Sequence, residues 1–437
     1  MVLVYTDKIT PRLSYIFKHI FIRILNTPVS FTTKTAELIA YDGLKICYSK
    51  AAIGDAFFIR CHDLLFEQGI NDTEIFIQKW TDDIPCFFHT GKAASIPYDI
   101  FAASFYLLSR YEEYLPHVQD RHERFPAEES LAFKNGFLEK PLVDIWAYKL
   151  LDVLKASFPM HTFTSRTYKY ISTFDISQAY MYKYQGFIRT IGGFVNDFFK
   201  LRLNSFWDRM MVLFKIRKDP YDTYDEIVYL KKKHKIEISL FFLIANFTTF
   251  DNNISITKNK FRLLIKSMSD YMSIGLNASY FTMNNAEILK KETKKMASVI
   301  NMPVSRSRQH LTRMHLPETY QNLVDLEVQE DYTMGYSDCL GFRASTCTPF
   351  YFYDLDFEIQ TPLKVVPFAV SDYVLHKTLN VSVRQALLKV SELQEQVKAV
   401  EGTFVTLFHN ELLSNYGTWN GWKHFYEEVL FLAKEQV

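Results

Sequence analysis

Asp175, Asn277, the Arg308-Gln309-His310 triplet, Arg343 and His409 stand just after strand-like runs of this chain. A carboxylate and two imidazoles are the groups proteins use to take up and deliver protons, provided a reacting atom comes within hydrogen-bond reach. Other chemistries find less support. His117 and His122 flank Asp120, but Pro116 and many charges place them in an exposed, salt-linked loop. His310 and His315 are five apart, which suits neither one helical face nor the HExxH zinc pattern. Ser345 lacks a GxSxG setting, and no GxGxxG or GxxxxGK[ST] phosphate-cradling loop occurs. The five cysteines are sparse and contain no CxxC pair, so neither a disulfide framework nor a thiolate zinc site is expected.

The elements that must position these groups follow from periodicity. The chain opens with the alternating run MVLVYTDKIT and shows strand candidates at Leu44 to Tyr48 and Ala56 to Arg60. Helices are expected around Phe101 to Tyr114 and over Val143 to Ala156. After Pro159 and a Thr/Ser cluster the character changes, and a strand candidate at Tyr170 to Phe174 leads into Asp175. From there strands and helices alternate: LFFLIANF, NAEILKKETKKMASVI, MPVSRSRQHL, LPETYQNLVDLEV, ASTCTPF, LKVVPFAV and the helix from Val381 to Gln396. This is the rhythm of a β/α domain, in which loops leaving the C-terminal strand ends carry the chemistry. The expected organisation is an N-terminal mixed α/β domain over residues 1–162 and a β/α domain over 163–437.

With 437 residues, 48% hydrophobic and 23% charged, the chain is long enough for two globular domains and too apolar to be disordered. The formal net charge of +1 argues against a dedicated nucleic-acid partner. Residues 181–240 nevertheless carry twelve Lys or Arg against seven Asp or Glu. A basic helical segment near 181–235 is therefore expected, its apolar side packed on the domain, with contact to an anionic membrane surface as the alternative. Residues 318–360 carry nine Asp or Glu and one Arg, read as a solvated face balancing that stretch. The 38 Phe, 27 Tyr and 5 Trp suit a large aromatic core, with sugar stacking as the functional alternative. The start shows no secretory signal and no apolar run approaches a bilayer span, so a reducing cytoplasm is the expected compartment.

Several blocks then carry a resemblance: STFDISQAY (172–180), GLNASY (275–280), SRQHLTRMHLPETY (307–320), DYTMGYSDCLGFRASTCTPFYFYDL (331–355) and LFHNELLS (407–414). They resemble polysaccharide deacetylases of the NodB-homology type. The stretch 110–150 matches a bacterial subfamily that places an additional α/β domain before the catalytic one. The resemblance implies a distorted (β/α) barrel of polysaccharide deacetylase type that removes acetyl groups from glycans with a metal-activated water. It further implies Asp175 as base, His409 as general acid, Arg343 as the arginine that orients the carboxylates, and Arg308, His310, Tyr280 and Asn277 as substrate-groove residues.

Two departures stand out. The family's Thr-Phe-Asp-x-Asp pattern reads Thr173-Phe174-Asp175-Ile176-Ser177 here, so the second aspartate, a metal ligand, is replaced by a neutral hydroxyl. The histidine of the family's Gly-Leu-His-Pro-Ser-Tyr block is replaced by Asn277, whose amide oxygen suits hard cations better than zinc. The sequence therefore identifies no metal ligand set, no cofactor is assigned, and a family-type zinc is not expected. The expected function is a deacetylase-like protein without the standard metal-dependent reaction, acting in glycan binding or surface-polysaccharide metabolism. An active carbohydrate deacetylase with an altered metal site and a non-enzymatic interaction scaffold are the alternatives. The expected partner is a glycan or small carbohydrate, and oligomeric state is not legible.

Overall fold

The opening alternation forms a strand, Val2–Thr6, with Val2 and Val4 wholly buried. In this computed structural model, which describes residues 1–434, that strand lies parallel between Val29–Thr32 and Lys45–Ser49, and Phe57–Arg60 pairs parallel to the latter. The helix Pro11–Lys18 starts with Pro11 in its first turn, where the missing N–H has no intrahelical partner to lose. Thr10 accepts a hydrogen bond from the Leu13 N–H and caps it. Every residue of the helix Ile100–Leu108 is buried. Its cap is the buried Asp99 carboxylate, which accepts from the N–H groups of Phe101 and Ala102 and from the Tyr48 hydroxyl.

The chain divides into two compact units that are interleaved in sequence. The first comprises Met1–Lys169, Met314–Ala369 and Leu393–Val405; the second comprises Tyr170–Arg313, Val370–Glu392 and the chain from Thr406 onward. A cut at 162/163 therefore differs from the spatial division, in which later segments return to the first unit. There, Glu330–Asp331 runs parallel to Ile359–Val365, which pairs antiparallel with Phe350–Asp354.

The second unit is a parallel β/α arrangement. The strand Lys169–Ile176 pairs through its second-unit residues with Glu237–Leu243, that strand with Ser273–Ala278, and that in turn with Arg306–Gln309, all parallel. The helices Tyr224–His234, Asn259–Ser269 and Ala286–Ile300 connect them. Val370–Ser371 runs parallel to the end of Thr403–His409. The mixed α/β class expected from the alternation is the class observed. Register puts Asp175 beside Phe241, Phe241 beside Gly275, and Asn277 beside Arg308. Because side chains alternate across a strand, Asp175, Phe241, Asn277 and Arg308 share one face.

One expectation fails. The basic segment folds into the helices Phe187–Phe199 and Leu203–Leu213, but its apolar side does not pack against the domain: Phe187, Ile188, Phe198, Phe199 and Trp207 are exposed. The reason is local, because the inward positions are taken by a buried ion pair between Asp197 and Arg209.

Candidate functional site

Gly275 sets the geometry of the shared face. A Cβ at this position would lie 2.5 Å from a ring carbon of Phe241, so only glycine leaves that ring its place. The Arg308 guanidinium lies over the same ring, 4.6 Å from its centroid. From there Arg308 donates through Nη1 to Asp175 Oδ1 and through Nη2 to Thr173 Oγ1, both at 2.8 Å. Thr173 in turn donates to the backbone carbonyl of Thr406 at 2.7 Å, which fixes its hydroxyl as an acceptor for arginine. Asp175 therefore takes its ion pair from Arg308, and the pairing with Arg343 considered from the sequence is not made. Arg343 belongs to the first unit, where it grips Glu113 with two parallel bonds of 2.9 and 2.7 Å. Arg110 bonds the same carboxylate at 2.8 Å. Burial alone would raise the Glu113 pKa, but the two guanidiniums overcome it and hold the group down to about 2.

Asn277 is wholly buried, and neither end of its side-chain amide has a hydrogen-bond partner among the described residues. Buried amides are nearly always satisfied, and this one lies on the same face as Asp175 and Arg308. His310 follows the strand that carries Arg308. Its Nδ1 lies 3.5 Å from Ser177 Oγ and its Nε2 3.3 Å from the Phe250 carbonyl oxygen. Burial lowers its pKa, and the carboxylates of Asp251 and Asp175 offset this only in part. The next two residues, Leu311 and Thr312, both have left-handed backbone, with φ of 56° and 52°. For a branched residue such as Thr312 that conformation is strained, and strain of this kind gathers at functional turns.

Tyr280 is mostly buried rather than open to a substrate. Its ring stacks on Phe250 at 3.9 Å and lies 4.2 Å from the Arg313 guanidinium. The rings beside it, Phe250 and Phe281, are the partly exposed ones.

His409 ends its strand in a second constellation. Its Nδ1 is 2.8 Å from Asp372 Oδ1, and its backbone N–H donates to Asp372 Oδ2 at 2.8 Å. The imidazole stacks on Tyr373 at 3.8 Å, and the Tyr373 hydroxyl donates to Glu411 at 2.6 Å. Burial would lower the His409 pKa, but Asp372, with help from Glu411 and Asp175, raises it to about 9. A carboxylate that holds one ring nitrogen leaves the other, here Nε2, as a directed donor. Nε2 has no hydrogen-bond partner among the described residues. The Asp175 carboxylate acts upward on the pKa of both His310 and His409.

The donors present do not fit the zinc that the deacetylase resemblance implies. Asp175 is committed to Arg308, Asn277 and Ser177 are neutral, and no group of three or more His, Cys, Asp and Glu among the described residues is arranged to hold a metal. Asp372 and Phe250 are neighbours of the site that the sequence reading did not name, and Thr173 entered it only as part of a motif. For Asp372 a signal existed, since an acid directly after the apolar run VVPFAVS is a natural partner for a strand-end histidine.

Comparison with known proteins adds a family match over part of the chain. Residues 2–159 match a family of unknown function, DUF7033. No curated protein matches the sequence. Among solved structures, a candidate polysaccharide deacetylase from Mycobacterium smegmatis aligns at 13% identity and a TM-score of 0.40, covering 61% of this chain and 84% of its own. The polysaccharide deacetylase Bc1974 from Bacillus cereus aligns at 14% identity and a TM-score of 0.31, with coverages of 61% and 87%. A CE4 family pseudoenzyme from Bacillus anthracis aligns at 10% identity and a TM-score of 0.31, with coverages of 60% and 62%. These similarities are distant.

Proposed function

We propose that this is a polysaccharide deacetylase-like protein that binds a glycan and does not carry out the standard metal-dependent reaction. The observation that carries the reading is the donor set beside Asp175: the two positions where the resembled family places metal ligands hold the neutral side chains of Ser177 and Asn277, and no group of three or more His, Cys, Asp and Glu among the described residues is arranged to hold a metal. The groups on that face and in the turns near it suit a neutral, polyhydroxylated ligand. Asn277 offers both a donor and an acceptor, His409 offers a cationic donor, and the edges of Phe250 and Phe281 offer apolar surface for a sugar ring. Arg308 orients Asp175 on this face, His310 follows Arg308 at the end of the same strand, and Arg343 is a partner of Glu113 within the first unit. Residues 1–162 supply the N-terminal part of the added α/β module, which later segments complete, in a bacterial cytoplasmic protein of surface-polysaccharide metabolism.

The His409–Asp372 dyad favours a second reading, in which the protein is an active hydrolase of acetylated carbohydrates with an altered site. A histidine held protonated beside a carboxylate is equipped to protonate a leaving group. One experiment separates the two readings: metal analysis of the purified chain, glycan-array binding, and acetate release from acetylated oligosaccharides with and without added divalent cations. Binding without acetate release, unchanged by chelator, supports the first reading. Acetate release that disappears in Asp175→Asn supports the second. Absence of both leaves an interaction scaffold.

A further inference from the structure

The helix Phe187–Phe199 is built inside out, and its neighbour Leu203–Leu213 turns most of its apolar residues outward. Each buries a single residue, Asp197 in the first and Val212 in the second. Asp197 Oδ2 accepts from Arg209 Nε and Nη2 at 3.0 and 2.9 Å, tying the helices together by charge. Gly193 admits this pair, because a Cβ there would lie 2.4 Å from the Arg209 guanidinium. The apolar residues point the other way. Phe187, Ile188, Ile191, Val195, Phe198 and Phe199 are 46% to 86% exposed. At about 100° per residue they fall within an arc of roughly 120° on one face of the helix. Leu203, Trp207 and Phe214 form a similar exposed stripe along and just beyond the second helix.

Charge identifies what such a face meets. Residues 187–218 contain seven Lys or Arg and two Asp, and both Asp are paired, Asp197 with Arg209 and Asp208 with Arg217. Lys200, Arg202 and Lys215 are exposed and surplus at the margins of the apolar face. A broad apolar stripe with aromatic residues and a basic rim is the pattern of a helix that lies in the headgroup region of an anionic bilayer. Neither helix could do more than lie there, since no described helix is long and apolar enough to cross a membrane. We infer that this helical pair docks the protein peripherally on an anionic lipid surface, inserting Phe198, Phe199 and Trp207 at the level of the acyl boundary. The docking goes beyond the glycan reading and does not depend on it.

The test is flotation of the full chain with phosphatidylcholine vesicles and with vesicles containing phosphatidylglycerol. The wild type is expected to float with the anionic vesicles and to be released as salt rises. Phe198→Asp/Phe199→Asp should lower the bound fraction by about tenfold or more with an unchanged thermal melt. Lys200→Glu/Lys215→Glu should remove the preference for anionic lipid. Should the aspartate variant unfold, quenching by brominated lipids provides the second readout: it should strike the wild-type tryptophan signal and largely vanish in Trp207→Phe. Failure of the wild type to float with anionic vesicles overturns the inference. So does flotation or quenching indifferent to these substitutions, or a dimer in sedimentation that Phe198→Asp/Phe199→Asp dissolves, which would mean a second copy covers the face.

Discussion

Arg308 holds Asp175 at 2.8 Å with its guanidinium entirely out of solvent. Burying two charges is costly, and the pair persists because each satisfies the other and Thr173 and Phe241 take up the rest of the guanidinium. Arg308→Ala is therefore expected to cost about 3–5 kcal/mol, since it strands a buried carboxylate. The double substitution Arg308→Met/Asp175→Asn should cost clearly less than the sum of the singles. Urea unfolding of the four proteins in the cycle checks this; additive losses would show that the two groups do not depend on each other.

Asn277 presents the opposite case, a buried amide with no hydrogen-bond partner among the described residues. Replacing it with leucine, of similar volume, removes the unsatisfied groups and should raise stability by about 1–3 kcal/mol. The same change should abolish glycan binding if the amide is reserved for a ligand. Thermal melts and glycan titrations of Asn277→Leu test both, and a destabilised variant would mean the amide is already satisfied.

His409 predicts a pH dependence. Its folded pKa is raised to about 9 from the ordinary 6.5, so the protonated ring stabilises the fold fully below pH 6.5. That contribution, on the order of 3 kcal/mol at most, is lost as pH rises through about 9. The stability difference between wild type and His409→Gln should shrink across pH 6.5 to 9, and imidazole NMR should place the titration near the upper end.

In the first unit, Glu113 should prove structural in its own right. Removing it as Glu113→Ala leaves the buried guanidiniums of Arg343 and Arg110 without their shared carboxylate, at an expected cost of about 3–5 kcal/mol. With a folded pKa held down to about 2, Glu113 contributes stability that is complete above its usual pKa and lost as pH falls toward 2. Denaturant midpoints at pH 7 and pH 3 should therefore separate wild type and variant more at the higher pH.

The fold class was legible because strand and helix periods are local. The runs ending at Asp175 and His409 form Lys169–Ile176 and Thr403–His409, and NAEILKKETKKMASVI forms Ala286–Ile300. Boundaries failed where packing overrides propensity: ASTCTPF leads into a strand, Phe350–Asp354, and shares only Phe350 with it. In the site, the residues at strand ends were visible one by one, but their pairing was not. Arg308 lies 133 positions from Asp175 and Glu113 lies 230 from Arg343, and no periodicity carries information over such separations. The outward apolar faces of Phe187–Phe199 and Leu203–Leu213 were also hidden, because an amphipathic pattern shows that a helix has two sides without showing which one is turned inward.

The interleaving of the two units bears on synthesis. The chain passes between them five times, and the first unit's last segment ends at Val405. Emerging from a ribosome, that unit cannot close until Val405 has been translated, while strands such as Phe350–Asp354 wait for neighbours. Expressed as a truncated fragment, residues 1–169 would lack two of the segments their unit is made from, so holdase chaperones would have to shelter them.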